Sequence, residues 1–242
     1  MAIAYLPIDI DVRLPDEGKL LAYCEKYKLP KIKDSNDTVA YWDLVPVIAR
    51  MPNDKWYDIE YGRNVLYNRY NPNLGEAVWA NNIDVDFPEI PYMLSQLPFK
   101  ELTMVTMMIQ KTFVPHHLDP HLNDVINDPY EISIMNEPHR YNIQLTQHGQ
   151  PAYFVSANKD GEKIFPNITK EQPCFAFCER YHWHGSEYIG DNKIQLSVFG
   201  IVDREKHHAT IMKNLSKHRD KAIIFEDPNN PQDLQYHFDS YS

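Results

Sequence analysis

Glycine and cysteine are scarce in this sequence, and both shortages narrow the class of protein. Only 8 glycines stand against 18 prolines and 16 tyrosines, which indicates rigid loops. The 3 cysteines are odd in number and lack framework spacing, so a secreted disulfide scaffold is disfavoured. Cys174 and Cys178 lie in a phenylalanine-rich strand candidate, where we expect small buried thiols and not a redox pair.

Long apolar runs and excess positive charge are also missing. No stretch reaches the roughly 18 apolar residues of a membrane span, and the first residues lack a basic segment followed by an apolar one. The formal net charge of −10 disfavours a nucleic-acid partner. These features predict a cytoplasmic protein with no membrane partner, and they leave the oligomeric state open.

The length and composition predict one folded unit. With 242 residues and 43% hydrophobic side chains, the chain can bury roughly 70% of the surface that its unfolded form exposes. No linker or repeat divides it, so we expect a single domain over 1–242. Its β-rich core is predicted at 101–203, with additions at 1–100 and 204–242. The stretch 30–87 has no assignable pattern.

Elsewhere the hydrophobic pattern assigns helices and strands. Apolar residues at helical spacing predict a helix over 16–28, and 88–97 and 204–219 are further helix candidates. Short apolar and aromatic segments between turn signals predict strands at 2–12, 102–114, 140–147, 152–157, 163–168, 173–184 and 193–202. Consecutive short strands without intervening helices are typical of a β-sandwich or jelly roll, so the predicted fold class is mainly β.

Three histidines begin a His-x-Asp triplet, at 117–119, 218–220 and 237–239. The second triplet lies in a polar stretch typical of a solvated helix face, and the third has no partner downstream. The first directly follows a long apolar strand candidate. Because residues i and i+2 of an extended segment point the same way, His117 and Asp119 can aim an imidazole and a carboxylate at one point.

A second histidine, His184, follows 67 residues after His117, which leaves room for the intervening strands of a jelly roll. Two imidazoles and one carboxylate make the facial triad of non-haem Fe(II) oxygenases, with positions left for an α-keto acid and O2. His182 shares the predicted face of His184 and is an alternative ligand. Lys193 begins the next strand after a turn, where it could meet the distal carboxylate of the keto acid.

These motifs together resemble the 2-oxoglutarate/Fe(II)-dependent dioxygenase superfamily, most closely its aspartyl/asparaginyl β-hydroxylase-like and prolyl-hydroxylase-like branches. The resemblance is carried by segments within 101–203, namely 114–119, 139–145, 173–177, 183–185 and 193–197. It implies a double-stranded β-helix (jelly roll, cupin-like) with flanking helices. It also implies oxidative decarboxylation of 2-oxoglutarate to succinate and CO2, coupled to hydroxylation of an amino acid, peptide or protein side chain.

The resemblance also implies roles for polar residues around the metal ligands. Arg140 and Asn142 match the strand whose polar side chains contact the keto acid in the hydroxylase-like branch. Lys193 stands where the family usually has Arg, and Gln195 where it usually has Ser. Since lysine supplies a point charge and not a bidentate fork, Lys193 and Arg140 both remain candidates for the carboxylate anchor.

Two functions of other classes stay open. A cupin-like metal-binding or sensor protein would keep the fold without turnover, and the departures at Lys193 and Gln195 favour it. A zinc-dependent hydrolase could draw on the histidines at 116, 117, 121, 182 and 184, but the sequence has no His-Glu-x-x-His motif. The substrate is not encoded in any pattern that these residues form.

Overall fold

The protein is described here from a computed structural model, which covers residues 2–28, 41–50, 77–117, 140–178, 182–190 and 192–225. Strands dominate it. They are β1 (Ala2–Pro7), β2 (Trp42–Arg50), β3 (Ala77–Trp79), β4 (Phe99–Gln110), β5 (Val114–His117), β6 (Arg140–Gln144), β7 (Tyr153–Ser156), β8 (Cys174–Phe177), β9 (Trp183–Ser186), β10 (Ile194–Val202) and β11 (Ile223–Phe225). The helices are α1 (Glu17–Tyr27), α2 (Ile83–Asp86), α3 (Glu89–Leu94) and α4 (Arg204–Lys217). The fold is therefore mainly β, as predicted.

The described strands form two antiparallel sheets. The large sheet has eight strands in the order β11-β1-β8-β6-β10-β4-β2-β3, and the small sheet has three in the order β5-β9-β7. Four strands of the large sheet (β1, β2, β3 and β11) come from outside 101–203. The N-terminal and C-terminal additions therefore complete the large sheet.

Strand alternation gives the large sheet an apolar face and a polar face. On β6, Tyr141 and Ile143 belong to the main hydrophobic core, where they pack with residues of the helices. Arg140, Asn142 and Gln144 alternate with them and point to the opposite face. The same alternation on β10 puts polar side chains opposite the core. The polar face, which also carries apolar side chains of β1 and β8, contacts the small sheet through a second hydrophobic cluster.

Helix ends follow the sequence signals. Asp16 caps α1 by accepting a hydrogen bond from the backbone N–H of Lys19 at 2.8 Å, and Asp203 caps α4 by accepting one from Lys206 at 3.2 Å. The helices predicted over 16–28, 88–97 and 204–219 are confirmed as α1, α3 and α4. No helix in the described ranges is long and apolar enough to cross a membrane.

Several predicted strands are corrected by the structure. The strand expected at 163–168 is only an isolated bridge from Ile164 to Val155, and Pro166 cannot donate to a ladder. The segment 173–184 splits into β8 and β9, which lie in different sheets, and 102–114 likewise contributes to β4 and β5. Cys174 and Cys178 are buried free thiols, as predicted, and Cys24 is also buried and free.

Three strands of the large sheet escaped prediction. The unassigned stretch 30–87 contains β2 and β3, and the tail contains β11. Pro46 lies inside β2, where it obscures the strand pattern, and the register with β4 shifts between Pro46 and Ile48. A bulge at this point accommodates a residue that has no N–H to donate.

Candidate metal centre

His117 and His184 face each other across the small sheet. They are register partners on β5 and β9, and their ring centroids lie 4.3 Å apart. His184 is buried and His117 is half-buried. Two residues separated by 67 positions in the sequence are thus held close enough to bind one ion.

Backbone hydrogen bonds set the tautomer of both imidazoles. Nδ1 of His117 lies 2.9 Å from the carbonyl oxygen of Pro115, and Nδ1 of His184 lies 3.2 Å from that of His182. A carbonyl can only accept, so each Nδ1 carries a proton, and in the neutral form of each ring the lone pair is on Nε2. Metal-binding histidines are commonly oriented in this way, with the second ring nitrogen donating to a backbone carbonyl.

Gly185 allows the close approach of β5 and β9. A Cβ atom at this position would lie 2.4 Å from Cζ of Phe154 and 2.6 Å from the carbonyl oxygen of Val114. Any larger residue would therefore push β9 away from β5 and β7. The glycine follows His184 directly, so it controls the spacing of the two histidine rings.

Asp119, the predicted carboxylate ligand, lies outside the described residues, as does His121. Within the described ranges, no three His, Cys, Asp or Glu side chains are grouped to hold a metal ion. Among the described residues, His117 and His184 provide two adjacent nitrogen donors. Asp119 follows His117 by two positions in the sequence.

The two neighbouring histidines have apolar surroundings. The ring of His182 packs against Phe225 with centroids 5.2 Å apart, and that of His116 packs against Phe154 at 4.7 Å. Burial, with a smaller contribution from His184, lowers the pKa of His182 to about 4. It is His184, and not His182, that is the register partner of His117.

Lys193 is fully buried beside the histidine strand. Its Nζ donates a hydrogen bond of 2.6 Å to Oγ of Ser186, which lies two residues after His184 on the same face of β9. Among the described residues no ion pair involves Lys193. Burial lowers the pKa of its ammonium to about 7. A buried cation without an anion is costly, so this site is suited to receive one.

Neighbouring side chains hold the Lys193 site in place. The Ser186 hydroxyl donates to Oε1 of Gln110 at 3.0 Å, and Nε2 of Gln110 donates to three backbone carbonyls nearby. The Lys193 ammonium also lies over the ring of Trp42, 5.5 Å from its centroid. Sequence reasoning missed Ser186 and Gln110. The i+2 spacing of Ser186 from His184 was the available signal.

Arg140 and Asn142 lie on the polar face of β6. Nη2 of Arg140 donates to Oγ of Ser197 at 3.0 Å, and its guanidinium carbon lies 4.6 Å from the centroid of the Phe199 ring and 5.4 Å from that of Phe177. The ring of Phe177 is in turn 5.4 Å from that of His184. Phe177 therefore lies close to both Arg140 and His184.

No protein-family model, curated protein or solved structure matches this chain. His117, His184 and Lys193 lie in one region of the structure, and the Phe177 ring lies close to both His184 and Arg140.

Proposed function

We propose that the protein is an Fe(II)- and 2-oxoglutarate-dependent dioxygenase that hydroxylates an amino acid, peptide or protein side chain. In this reaction 2-oxoglutarate, O2 and the substrate C–H yield succinate, CO2 and the hydroxylated product. One observation carries the proposal. Lys193 is buried, has no anionic partner among the described residues and lies next to β9. On β9, His184 faces His117 of β5.

The two antiparallel sheets support a double-stranded β-helix, or jelly roll. The histidine pair belongs to the small sheet, whereas Lys193 and Arg140 extend from the polar face of the large one. Burying polar side chains between two sheets costs folding free energy unless they pair with hydrogen-bonding or charged partners. Between the sheets these polar groups lie beside an aromatic cluster that includes Tyr153, Phe175 and Phe177, an interior compatible with a cupin-like site.

His117, Asp119 and His184 would hold the ferrous ion. Both described histidines present Nε2 lone pairs, and the adjoining carboxylate completes a set of two nitrogens and one oxygen that suits Fe(II). When bound, the iron supplies the activation of O2 that drives decarboxylation and hydroxylation. The chain's own contribution is to fix both rings and to shield them with aromatic neighbours. Phe177 and Tyr153 have ring centroids 5.4 Å and 6.3 Å from that of His184.

Lys193 would bind the distal carboxylate of 2-oxoglutarate. Residues i and i+2 on a strand are roughly 7 Å apart, and Ser186 follows His184 by two positions. The distance from His184 to Ser186, which binds Lys193, is therefore about the length of a short diacid such as 2-oxoglutarate. The Ser186 hydroxyl would share the carboxylate with the ammonium. Arg140 is the other candidate that the sequence leaves open, and its guanidinium carbon lies 5.4 Å from the centroid of the Phe177 ring.

Succinate formation tests this proposal. The purified protein, supplied with Fe(II), 2-oxoglutarate and O2, should form succinate, and a panel of free amino acids and peptides should include compounds that raise the rate. Replacing Fe(II) by Zn(II) should abolish succinate formation. Metal binding without succinate formation under any of these conditions would favour the metal-binding or sensor protein. Zinc-supported hydrolysis that needs no keto acid would favour the hydrolase.

A further inference from the structure

Three uncharged polar side chains adjoin one another on the polar face of the large sheet. Asn142 on β6 and Thr106 on β4 are both register partners of Ser197, which lies between them on β10. Gln195 is two positions from Ser197 on the same face of β10, so it is the diagonal neighbour of Asn142 and Thr106. The same alternation puts Gln195 beside Lys193. We call Asn142, Thr106 and Gln195 the neutral cluster.

The neutral cluster adjoins the aromatic side chains around the candidate metal centre. Asn142 is the register partner of Phe175 on β8, so the two side chains leave the sheet on the same face. The Phe175 ring centroid lies 5.2 Å from that of Tyr153 on the small sheet, and the Tyr153 centroid lies 6.3 Å from that of His184. A ligand bound to the cluster would therefore lie beside the histidine pair.

The neutral cluster is buried without internal partners. Asn142 is 2% exposed, Thr106 5% and Gln195 7%. Oδ1 of Asn142 has no hydrogen-bond partner, and no described residue forms a hydrogen bond with the Thr106 hydroxyl or the Gln195 amide. Ser197 cannot serve them as a free acceptor, since its oxygen already accepts from Arg140. Buried polar groups are almost always paired, so three adjacent unpaired ones indicate a binding site.

The hydrogen-bonding capacity of the cluster selects the ligand. Each side-chain amide has two N–H donors and a carbonyl acceptor. A carboxylate only accepts, so it would leave the carbonyls of Asn142 and Gln195 unpaired, and an ammonium only donates, so it would leave their N–H groups unpaired. A ligand amide donates and accepts through separate atoms and can satisfy both. The oxygens of 2-oxoglutarate can only accept, so the organic substrate has to supply the donor.

We propose that Asn142, Thr106 and Gln195 bind an uncharged amide group of the organic substrate. The amide is a side-chain carboxamide or a peptide bond, which have the same hydrogen-bonding chemistry. This inference rests on the proposed function, and it narrows the substrate class to compounds that carry such a group. Because the cluster adjoins the candidate metal centre, the hydroxylated carbon lies near this amide.

The test measures substrate binding separately from keto-acid binding, by calorimetry with Mn(II) replacing Fe(II) and with 2-oxoglutarate present. One set of probes compares asparagine and glutamine with aspartate and glutamate. The other compares the N-acetyl methylamides of the protein amino acids with their methyl esters, which have the same shape without the N–H. We expect at least one amide to bind about tenfold or more tightly than its counterpart, which leaves a buried acceptor unpaired. Discrimination in the first set identifies a side-chain carboxamide, and in the second a peptide bond.

Variants of similar shape identify the residues responsible. Asn142→Leu and Gln195→Met remove the hydrogen-bonding groups and keep the size of each side chain. Either change should abolish the difference between an amide and its counterpart, and both should leave the affinity for 2-oxoglutarate unchanged. Loss of 2-oxoglutarate affinity with intact amide discrimination would assign the cluster to the keto acid and overturn the inference.

Thermal unfolding without ligand separates binding from a structural role. Asn214 is the matched control, because it is also 2% exposed but is paired at both ends. Its Oδ1 accepts from the backbone N–H of Asp9 at 2.9 Å, and its Nδ2 donates to the carbonyl of Thr210 at 2.8 Å. Asn214→Leu should lower the Tm, whereas Asn142→Leu should keep or raise it. An equal loss of Tm in both variants would show that Asn142 serves the fold, against the inference.

Two failures are distinguishable. If wild-type protein binds Mn(II) and 2-oxoglutarate but binds no amide more tightly than its counterpart, the substrate inference is wrong and the dioxygenase proposal stands. If wild-type protein binds neither Mn(II) nor 2-oxoglutarate, the proposed function itself fails, and the inference fails with it.

Discussion

At the scale of single residues, Lys193 is the side chain whose position most constrains the function. The sequence predicted that this lysine approaches the metal site over a tight turn, because it begins the strand after His184. The hydrogen bond of Lys193 to Ser186 places its ammonium beside β9, the strand that carries His184. The partner could not be predicted, since it depends on how the small sheet packs against the large one. The role as keto-acid anchor stays a prediction.

The affinity for 2-oxoglutarate should depend on pH through Lys193. Burial lowers the pKa of this ammonium to about 7 in the free protein. The carboxylate binds the protonated form, so binding above this pKa requires proton uptake. Measured by anaerobic calorimetry, the dissociation constant for 2-oxoglutarate should not change with pH below pH 7. Above pH 7 it should rise by up to about tenfold per pH unit.

Lys193→Arg is the control for this titration. A guanidinium stays protonated throughout the accessible range, so the dependence above pH 7 should flatten in this variant. A wild-type dissociation constant that does not change between pH 6 and pH 9 would rule out Lys193 as the anchor.

Replacing Lys193 by methionine should separate stability from ligand binding. The buried ammonium has one hydrogen-bond partner and no ion pair among the described residues, so a thioether of similar shape removes a desolvation cost. We expect Lys193→Met to stabilise the protein without ligand by about 1–2 kcal/mol in urea unfolding at pH 6, and to abolish 2-oxoglutarate binding. A destabilised variant that still binds the keto acid would show that the lysine has only a structural role.

At the scale of secondary-structure elements, the approach of β5 to β9 determines whether a metal site forms. These two strands bring His117 and His184 together, and Gly185 is the residue that permits their contact. The sequence predicted strand candidates around both histidines. It did not predict that β8 and β9 would belong to different sheets, because no glycine, asparagine or proline marks a turn within 174–184. Sheet assignment depends on long-range pairing that local pattern does not contain.

Gly185→Ala should weaken metal binding by separating the histidine rings. The added methyl group meets two backbone carbonyls and the Phe154 ring at less than 3 Å, so β9 has to shift. We expect at least about a tenfold loss of Co(II) affinity, since misplaced ligands commonly cost this much. Gly18→Ala is the matched control, because a Cβ there has only one contact, at 3.5 Å from a side-chain oxygen. Equal Co(II) affinity in both variants would contradict the role of Gly185.

At the scale of the whole molecule, three distant parts of the chain meet at Asp9, beyond the end of β1. Its carboxylate accepts hydrogen bonds from Lys217 at 2.5 Å and His218 at 2.7 Å, at the end of α4, and from Gln172 at 3.1 Å. The sequence marked His218 only as part of a solvated helix face, and this was wrong because the residue is buried. A contact between residues more than 200 positions apart cannot be read from local pattern.

Asp9 should make the fold sensitive to acid. Burial alone would raise the pKa of its carboxyl, but the hydrogen bonds from Lys217 and His218 outweigh this and lower it. A lowered pKa contributes stability that is present above the unfolded value of roughly 3.9 and is lost as pH falls below it. We expect Asp9→Asn to cost about 1–2 kcal/mol in urea unfolding at pH 7 and less at pH 3. An equal cost at both pH values would contradict the role of the charge.

The anaerobic visible spectrum of the protein with Fe(II) and 2-oxoglutarate tests the ferrous site most directly. If His117, Asp119 and His184 hold iron and the keto acid chelates it, a weak charge-transfer band should appear on addition of 2-oxoglutarate. The band should be lost in His117→Ala and in Asp119→Ala, and kept in His116→Ala, whose ring packs against Phe154. A band that survives the loss of His117 and Asp119, or the absence of any band in folded wild-type protein, would contradict a ferrous site at these residues.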